Sequence, residues 1–284
     1  MAQLNMLFMS SIESLISEDQ LVLPTLPEIA IRAREVAEKP DTSLSDLIKV
    51  IHCDTAICAR LIKVANSPFV IRASNPVNNI TAALTRLGLH FARNLITGLA
   101  MEQMFRSRSQ LVERKLREVW RTSTRIAGHA TIIAKHFSTL PPDEVALAGL
   151  VHQIGVLPIL SVLEENLSAL PHEADFENLI TDLHPHLGQH ILKTWNFPTS
   201  LHIVPKEYLN FQRHHNGHLD CSDIIMIAHL YDHTITGHSN HAVPTWDHIS
   251  AFQRAGITPE PDTHHAPILD DLRTEFESTA SLFR

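Results

Sequence analysis

An all-α fold, a helical bundle with an additional N-terminal helical lobe, is the architecture the sequence predicts. Three observations carry the all-α part. Only nine Gly and two Tyr occur among 284 residues, with long runs of Ala, Leu, Ile and Arg, which favours helix over sheet. Apolar residues recur at helical rather than alternating spacing. Pro, Asn, Asp and Ser/Thr punctuate the chain where helices would start and stop. With 44% hydrophobic residues the chain can bury a substantial core, and its length permits one large domain or two.

The net charge of -8 hides an asymmetry: residues 1–140 carry 17 Lys/Arg and 12 Asp/Glu, against 6 and 19 in the remainder. The basic residues are spread along helix faces without interleaved aromatics, so nucleic acid is not expected as a partner. Cys53, Cys58 and Cys221 are odd in number and lack CxxC spacing, which speaks against a disulfide framework or a Cys-based zinc site. No run of about 18 uncharged apolar residues is read, and Met1 to Ser17 has neither a basic n-region nor a small-residue cleavage site. The expected location is therefore cytoplasmic, with no membrane partner.

In chain order, Ile12 to Leu23 reads as a weakly amphipathic helix, followed by an extended crossing at Leu23-Pro24-Thr25-Leu26-Pro27. Glu28 starts a helix that ends near Pro40. Ser43 and Asp46 make a capping-box start for residues 44–52, and Asp54 caps the next helix, with Ile57, Leu61, Val64 and Ala65 inside. Asn66-Ser67-Pro68 closes it. Thr81 is read as the cap of a short helix that Gly88 ends, and a stripe of Ala92, Leu95, Ile96, Leu99 and Gln103 follows.

Residues 106–115 read as a separator, and a long amphipathic helix is expected from Leu116 through Val119, Ser123, Ile126, Ala130, Ile133, Ala134 and Phe137. Pro141-Pro142 stops it, and Asp143 is read as the N-cap of a buried helix over Leu147 to Leu157. Gly149 and Gly155 lie three residues either side of His152, allowing neighbouring helices to come close. Pro171 to Glu177 reads as a polar loop. A helix then runs from about His184 to Trp195, and Asn196-Phe197-Pro198 ends it. Asp223 to Leu230 is a further buried helix, Gly237 to Val243 a loop, and two helices are read around Trp246, Ile249 and Phe252, ending at Gly256, and around Ile268, Leu269, Leu272 and Phe276.

The His152-Gln153 stretch resembles the signature of the HD superfamily of metal-dependent phosphohydrolases, in which a His-Asp pair holds the ion. The blocks at Leu23 to Pro27, Ser43 to Cys53, Leu61 to Ser67, Ile80 to Leu84 and Leu87-Gly88 resemble, in order, those of the HDOD domain. That domain is an HD-related, all-helical output module of bacterial signalling proteins. The resemblance implies one HDOD protein, with residues 1–112 as an N-terminal helical lobe, 113–235 as a degenerate HD-like lobe and 236–284 as a helical tail packed on the domain.

What the family resemblance implies for the site can be set position by position. Thr122 stands in the block that carries the first metal-binding His, Gln153 replaces the Asp, His184 keeps a metal-type His, and His229 occupies the place of the closing Asp. Where a His-His pair is often found stands Glu207-Tyr208, with His214-His215 as a shifted alternative. Carboxylates both neutralise an ion and orient the attacking water, so these exchanges remove ligands and general-base capacity together. The pocket positions Thr122, His152, Gln153, His184 and His229 are thus read as vestigial, with no catalytic residue, metal or cofactor expected. If an ion is bound, His152, His184 and His229 would form a three-His site. The 20 His include His186 and His190 at i, i+4 and the adjacent pair His264-His265, read as solvated or hydrogen-bonded, without carboxylate partners at matched spacing.

The expected function is non-enzymatic signal transduction through a protein partner or a small ligand. The alternatives are a metal-dependent phosphohydrolase acting on nucleotides or cyclic dinucleotides, and a nucleic-acid-associated regulator.

Overall fold

Proline restricts its own backbone and that of the residue before it, so Leu23 to Pro27 runs extended before the first helix. In the computed structural model, which describes residues 23–39, 41–70, 75–165, 173–215, 217–237 and 243–283, Pro27 (φ −55°, ψ 141°) leads directly into α1, Glu28–Glu38. The helix expected over Ile12 to Leu23 lies, apart from Leu23, outside the described residues.

Local capping chemistry sets the next two boundaries as expected. The Ser43 N–H donates to Asp46 Oδ2 at 3.2 Å at the start of α2, Leu44–Ile51. Asp54 Oδ1 accepts from the Ile57 N–H at 2.9 Å at the start of α3, Thr55–Ala65, which buries Ile57, Leu61, Val64 and Ala65. Each such cap contributes about 1 kcal/mol.

The cap of α4, Ile80–Leu87, is Asn79 rather than Thr81: its extended backbone lets Oδ1 accept from the Ala82 N–H at 2.8 Å, while Thr81 already lies in the first turn. Gly88, at φ +78°, turns the chain into α5, Leu89–Ala100, whose Ala92, Leu95, Ile96 and Leu99 are buried. Gln103 leaves that stripe and is exposed, because the helix tightens into a 3-10 turn at Met101–Met104.

The long helix α6, Gln110–Phe137, starts inside the stretch read as a separator. Two carboxylates organise that start: Glu113 Oε2 accepts from the Ser107 N–H at 2.6 Å, and Glu164 Oε1 accepts from the Ser107 hydroxyl at 2.7 Å. Asp143 does not cap α7, Pro142–Val151. Pro141 holds the cap position, and Asp143 instead accepts from Asn94 Nδ2 at 2.7 Å, tying α7 to α5.

The buried helix expected over Leu147 to Leu157 is two helices. α7 ends at Val151, residues 152–155 turn, and α8 runs Val156–Glu165. Together they make Pro142–Glu164, a stretch long and apolar enough to cross a membrane, contrary to the sequence expectation; its most apolar window has a mean hydropathy of 1.9 and is 83% buried in the fold. Residues 173–177, read as loop, begin α9, Glu173–Thr194, which continues through Pro185. Proline cannot supply the interior N–H and a helix normally breaks there, but α9 packs on α8 and on α11.

Two short helices, α10, Thr199–His202, and α11, Val204–Glu207, lead to α12, Cys221–Thr236. Asp220 and Asp223 form its capping box and Gly237, at φ +66°, ends it. The C-terminal segment is more finely divided than expected: a 3-10 turn at Trp246–His248, then α13, Ser250–Arg254, α14, Pro267–Asp271, and α15, Arg273–Ala280, which packs on α6. Ile268, read as apolar stripe, is exposed. No strand occurs among the described residues, and one continuous core extends from Leu26 to Phe283.

Candidate functional site

Two glycines let four helices converge. A Cβ on Gly149 would stand 2.5 Å from Ala127 Cα, so α7 lies directly on α6. One on Gly155 would stand 2.1 Å from the His184 carbonyl oxygen and 2.5 Å from the Gly188 nitrogen, so the α7–α8 turn lies directly on α9. The close approach anticipated for these glycines is present, although His152 and Gln153 sit in the turn rather than on a helix.

The convergence encloses a cleft of about 340 Å³. α6 contributes Thr122 and Arg125, the turn Gln153, α9 His184, the end of α11 Tyr208, and α12 His229, Asp232 and His233. His152 lies behind this lining, fully buried against Tyr208, and donates from Nδ1 to the Gly149 carbonyl at 2.7 Å, which leaves Nε2 as an acceptor. All five positions singled out in the sequence thus meet at one place.

The three histidines do not converge on a common point. Tyr208, 1% exposed, stands among them, its ring centroid 4.8 Å from that of His152, 5.2 Å from His229 and 5.7 Å from His184. His152 and His229 are 6.5 Å apart by the same measure. The Tyr208 hydroxyl lies 3.1 Å from His184 Nε2, so that nitrogen is engaged. Burial drives His152 down to about 4 and His184 to about 3, the latter also opposed by His152, so both rings are neutral at neutral pH. Burial likewise pushes the Tyr208 hydroxyl far above its usual value, against a smaller opposing pull from Gln153.

Of the Glu207-Tyr208 pair only Tyr208 enters the cleft; Glu207 pairs with Arg213 at 3.4 Å. The shifted alternative His214-His215 is ruled out as a cleft pair: His214 is exposed and His215 lies 3.2 Å from Asp223, outside the lining.

Sequence reasoning missed the ion pair that bridges the cleft. Arg125 donates from Nε to Asp232 Oδ1 at 2.8 Å and from the neighbouring guanidinium nitrogen to Oδ2 at 2.9 Å, joining α6 to α12. The same nitrogen is 3.4 Å from the Thr122 hydroxyl. Arg125 and Asp232 lie one turn beyond Thr122 and His229 respectively, a spacing visible in the sequence once the two helices are known to face each other.

Two other groups among the described residues bring His and carboxylate ligand atoms within 4.8 Å of one another: His215, Asp220 and Asp223, and the exposed Asp247, His248 and Asp262. The first already holds Arg213, 2.7 Å from Asp223, and Arg254, 2.6 Å from it. The remaining histidines read as solvated divide. His186 and His190 are on the solvent face of α9, whereas His265 has two carboxylate partners, Asp270 at 2.6 Å and Glu260 at 3.0 Å, correcting the expectation of none. Those partners raise its pKa, Asp270 foremost.

A divalent ion of the kind the HD scaffold implies is not fitted by these residues. His152 keeps Nε2 as an acceptor, but His184 Nε2 is taken by Tyr208, Thr122 and Gln153 offer weak neutral oxygens, and the buried carboxylate Asp232 is held by a guanidinium.

A family model for the HDOD domain matches residues 23–207. A crystal structure of a Shewanella amazonensis protein, assigned provisionally as a metal-dependent phosphohydrolase, aligns with a TM-score of 0.85 at 30% identity, covering 99% of this chain and 100% of that one. An HDOD domain protein of unknown function from Geobacter sulfurreducens aligns at 0.67 and 18% identity over 100% and 98% of the two chains, a likeness of fold. An uncharacterised Treponema pallidum protein is 27% identical over 192 residues, which is 62% of this chain and 35% of that protein. The chain thus matches only about a third of that curated relative's length.

Proposed function

The chain belongs to the HDOD domain family, and on that premise we propose that it is a cytoplasmic signal-transduction or regulatory protein, without hydrolytic activity, that works by binding a protein partner or a small ligand. The observation that carries this reading is the fate of the cleft's carboxylate. A metal-dependent hydrolase needs an acidic ligand to hold the ion and a base to activate water. Here the sequence places Thr, Gln and His where His, Asp and Asp would stand, and the one buried carboxylate in the cleft, Asp232, is paired side-on with Arg125. A cleft of about 340 Å³ with a mixed polar and apolar lining is what a binding module requires.

The second reading is a metal-dependent phosphohydrolase acting on nucleotides or cyclic dinucleotides. It is favoured by the provisional assignment of the Shewanella relative at 30% identity over nearly the whole chain and by the neutral imidazoles of His152 and His184. Elemental analysis of untagged protein, combined with assays on nucleoside phosphates and cyclic dinucleotides, separates the two. The regulatory reading expects no stoichiometric metal and no turnover. About one zinc, manganese or iron per chain, lost in His152→Ala and His184→Ala variants along with hydrolysis, overturns it. Affinity purification of the tagged protein from its native cell then identifies the partner class.

A further inference from the structure

We propose that Arg125 is the resident cation of this cleft: it replaces a metal ion as the bridge between α6 and α12 and excludes divalent metals from the Asp232 carboxylate. The inference rests on the metal-free reading above and adds the device that maintains it.

The geometry is that of a built site rather than a surface pair. The Asp232 side chain is 3% exposed and that of Arg125 25%. A carboxylate so far from water requires a partner that both neutralises it and satisfies its oxygens, and a side-on guanidinium does both at 2.8 and 2.9 Å. His129 adds a ring nitrogen 3.8 Å from Oδ1, too far for a hydrogen bond, from one turn further along α6. On the open side the guanidinium stands against Thr122, the residue at the position of the first metal-type His, 3.4 Å from its hydroxyl. The positive charge therefore stands between α6 and α12, against Thr122 and Asp232 and one turn from His229, the α12 position at which the resemblance expects a carboxylate. A divalent ion entering here would meet like charge and an engaged carboxylate together.

The exchange has a direction that can be tested. Without Arg125, the cleft holds an uncompensated buried carboxylate, with His229 one turn away on α12 and also in the lining, and a divalent cation such as zinc or manganese would neutralise it. Thermal unfolding with zinc or manganese chloride is the readout, since binding to the folded state alone raises the midpoint.

The wild-type midpoint should be unmoved by either metal. Arg125→Ala should lower the midpoint by on the order of 5–10 °C, and either metal should recover a saturable part of that loss. Arg125→Ala with Asp232→Asn should remove both the deficit and the recovery. If Arg125→Ala does not fold, Arg125→Lys carries the test: it keeps the charge without the fork, and should show a lowered midpoint that metal does not raise.

A metal-dependent rise in the wild-type protein overturns the metal-free reading together with this proposal. A lowered Arg125→Ala midpoint that neither metal raises overturns the resident-cation proposal alone. So does an unchanged Arg125→Ala midpoint, and so does a metal response in Arg125→Lys.

Discussion

The Tyr208 hydroxyl lies 3.1 Å from Nε2 of His184 between two fully packed helices, and neither residue exceeds 2% exposure. A buried hydrogen bond contributes modestly when made, but removing one partner leaves the other desolvated and unsatisfied. Tyr208→Phe keeps the ring that separates the three histidines and removes only the hydroxyl. It should cost about 1–3 kcal/mol, seen as a lower urea midpoint with an unchanged slope. An unchanged midpoint would show that this pair adds nothing to the fold.

The same burial makes the protein sensitive to acid. His152 and His184 titrate near 4 and 3 in the folded state, against about 6.5 unfolded. Above about pH 6.5 both states hold the rings neutral, and the full stability is present. Below it the unfolded chain takes up protons that the folded one refuses, so stability falls as pH drops from about 6.5 towards about 4 for His152 and about 3 for His184. Each ring contributes a slope of about 1.4 kcal/mol per pH unit within its window. His265 acts in the opposite sense, since its raised pKa adds stability at low pH that is lost as pH rises; it is solvent-screened and weak. Urea titrations between about pH 6.5 and 5 should therefore show declining stability, and His184→Asn should flatten the slope by about one proton. A slope unaltered by that substitution would assign the acid sensitivity to other groups.

How much of this was legible in the sequence depends on the range of the interaction. Capping is local, so Ser43, Asp46 and Asp54 mark their helices directly, and Asn79 displaces Thr81 only because two polar residues compete within one turn. Block order places Thr122, Gln153, His184 and His229 together, since their helices come in the order of a known scaffold. Arg125 and Asp232 are 107 residues apart, and nothing in either local stretch announces that they meet. The course of α9 is hidden for the complementary reason: polar residues 173–177 and Pro185 look unhelical by themselves, yet the helix runs through both.

Glycine makes the strictest demand on the cleft floor. A Cβ at Gly155 would meet backbone atoms of α9 at 2.1 and 2.5 Å, which cannot rotate away as a side chain could. Gly155→Ala should therefore force α9 outward and cost roughly 1–3 kcal/mol or more, and should lower the acid-window slope as His184 gains solvent. Gly149→Leu should cost at least as much, because Ala127 Cα stands 2.5 Å from the added carbon. Parent-like urea midpoints for either variant would mean that these helices are not in the contact described.

Beyond the cleft, Arg34 fastens α1 to the C-terminal end of α9. Its guanidinium donates to the Trp195 carbonyl at 2.7 Å and the Asn196 carbonyl at 2.8 Å, at the C-terminal end of α9 where backbone acceptors lack helical partners, and its carbon centre lies 4.3 Å over the Phe197 ring. The Trp195 indole N–H in turn donates to the Pro24 carbonyl at 3.1 Å, so the proline elbow and α1 grip the same helix end. Arg34→Met retains most of the apolar stem and loses the fork, and should cost about 1–3 kcal/mol. Pro24→Ala with Pro27→Ala should cost about 1 kcal/mol by freeing the unfolded chain and loosening that carbonyl. Because both changes weaken the same contact, the combined variant should fall short of the sum of the two losses. Strict additivity in urea unfolding would show that the elbow and the arginine act on α9 independently, and that the elbow is a linker rather than half of a clasp.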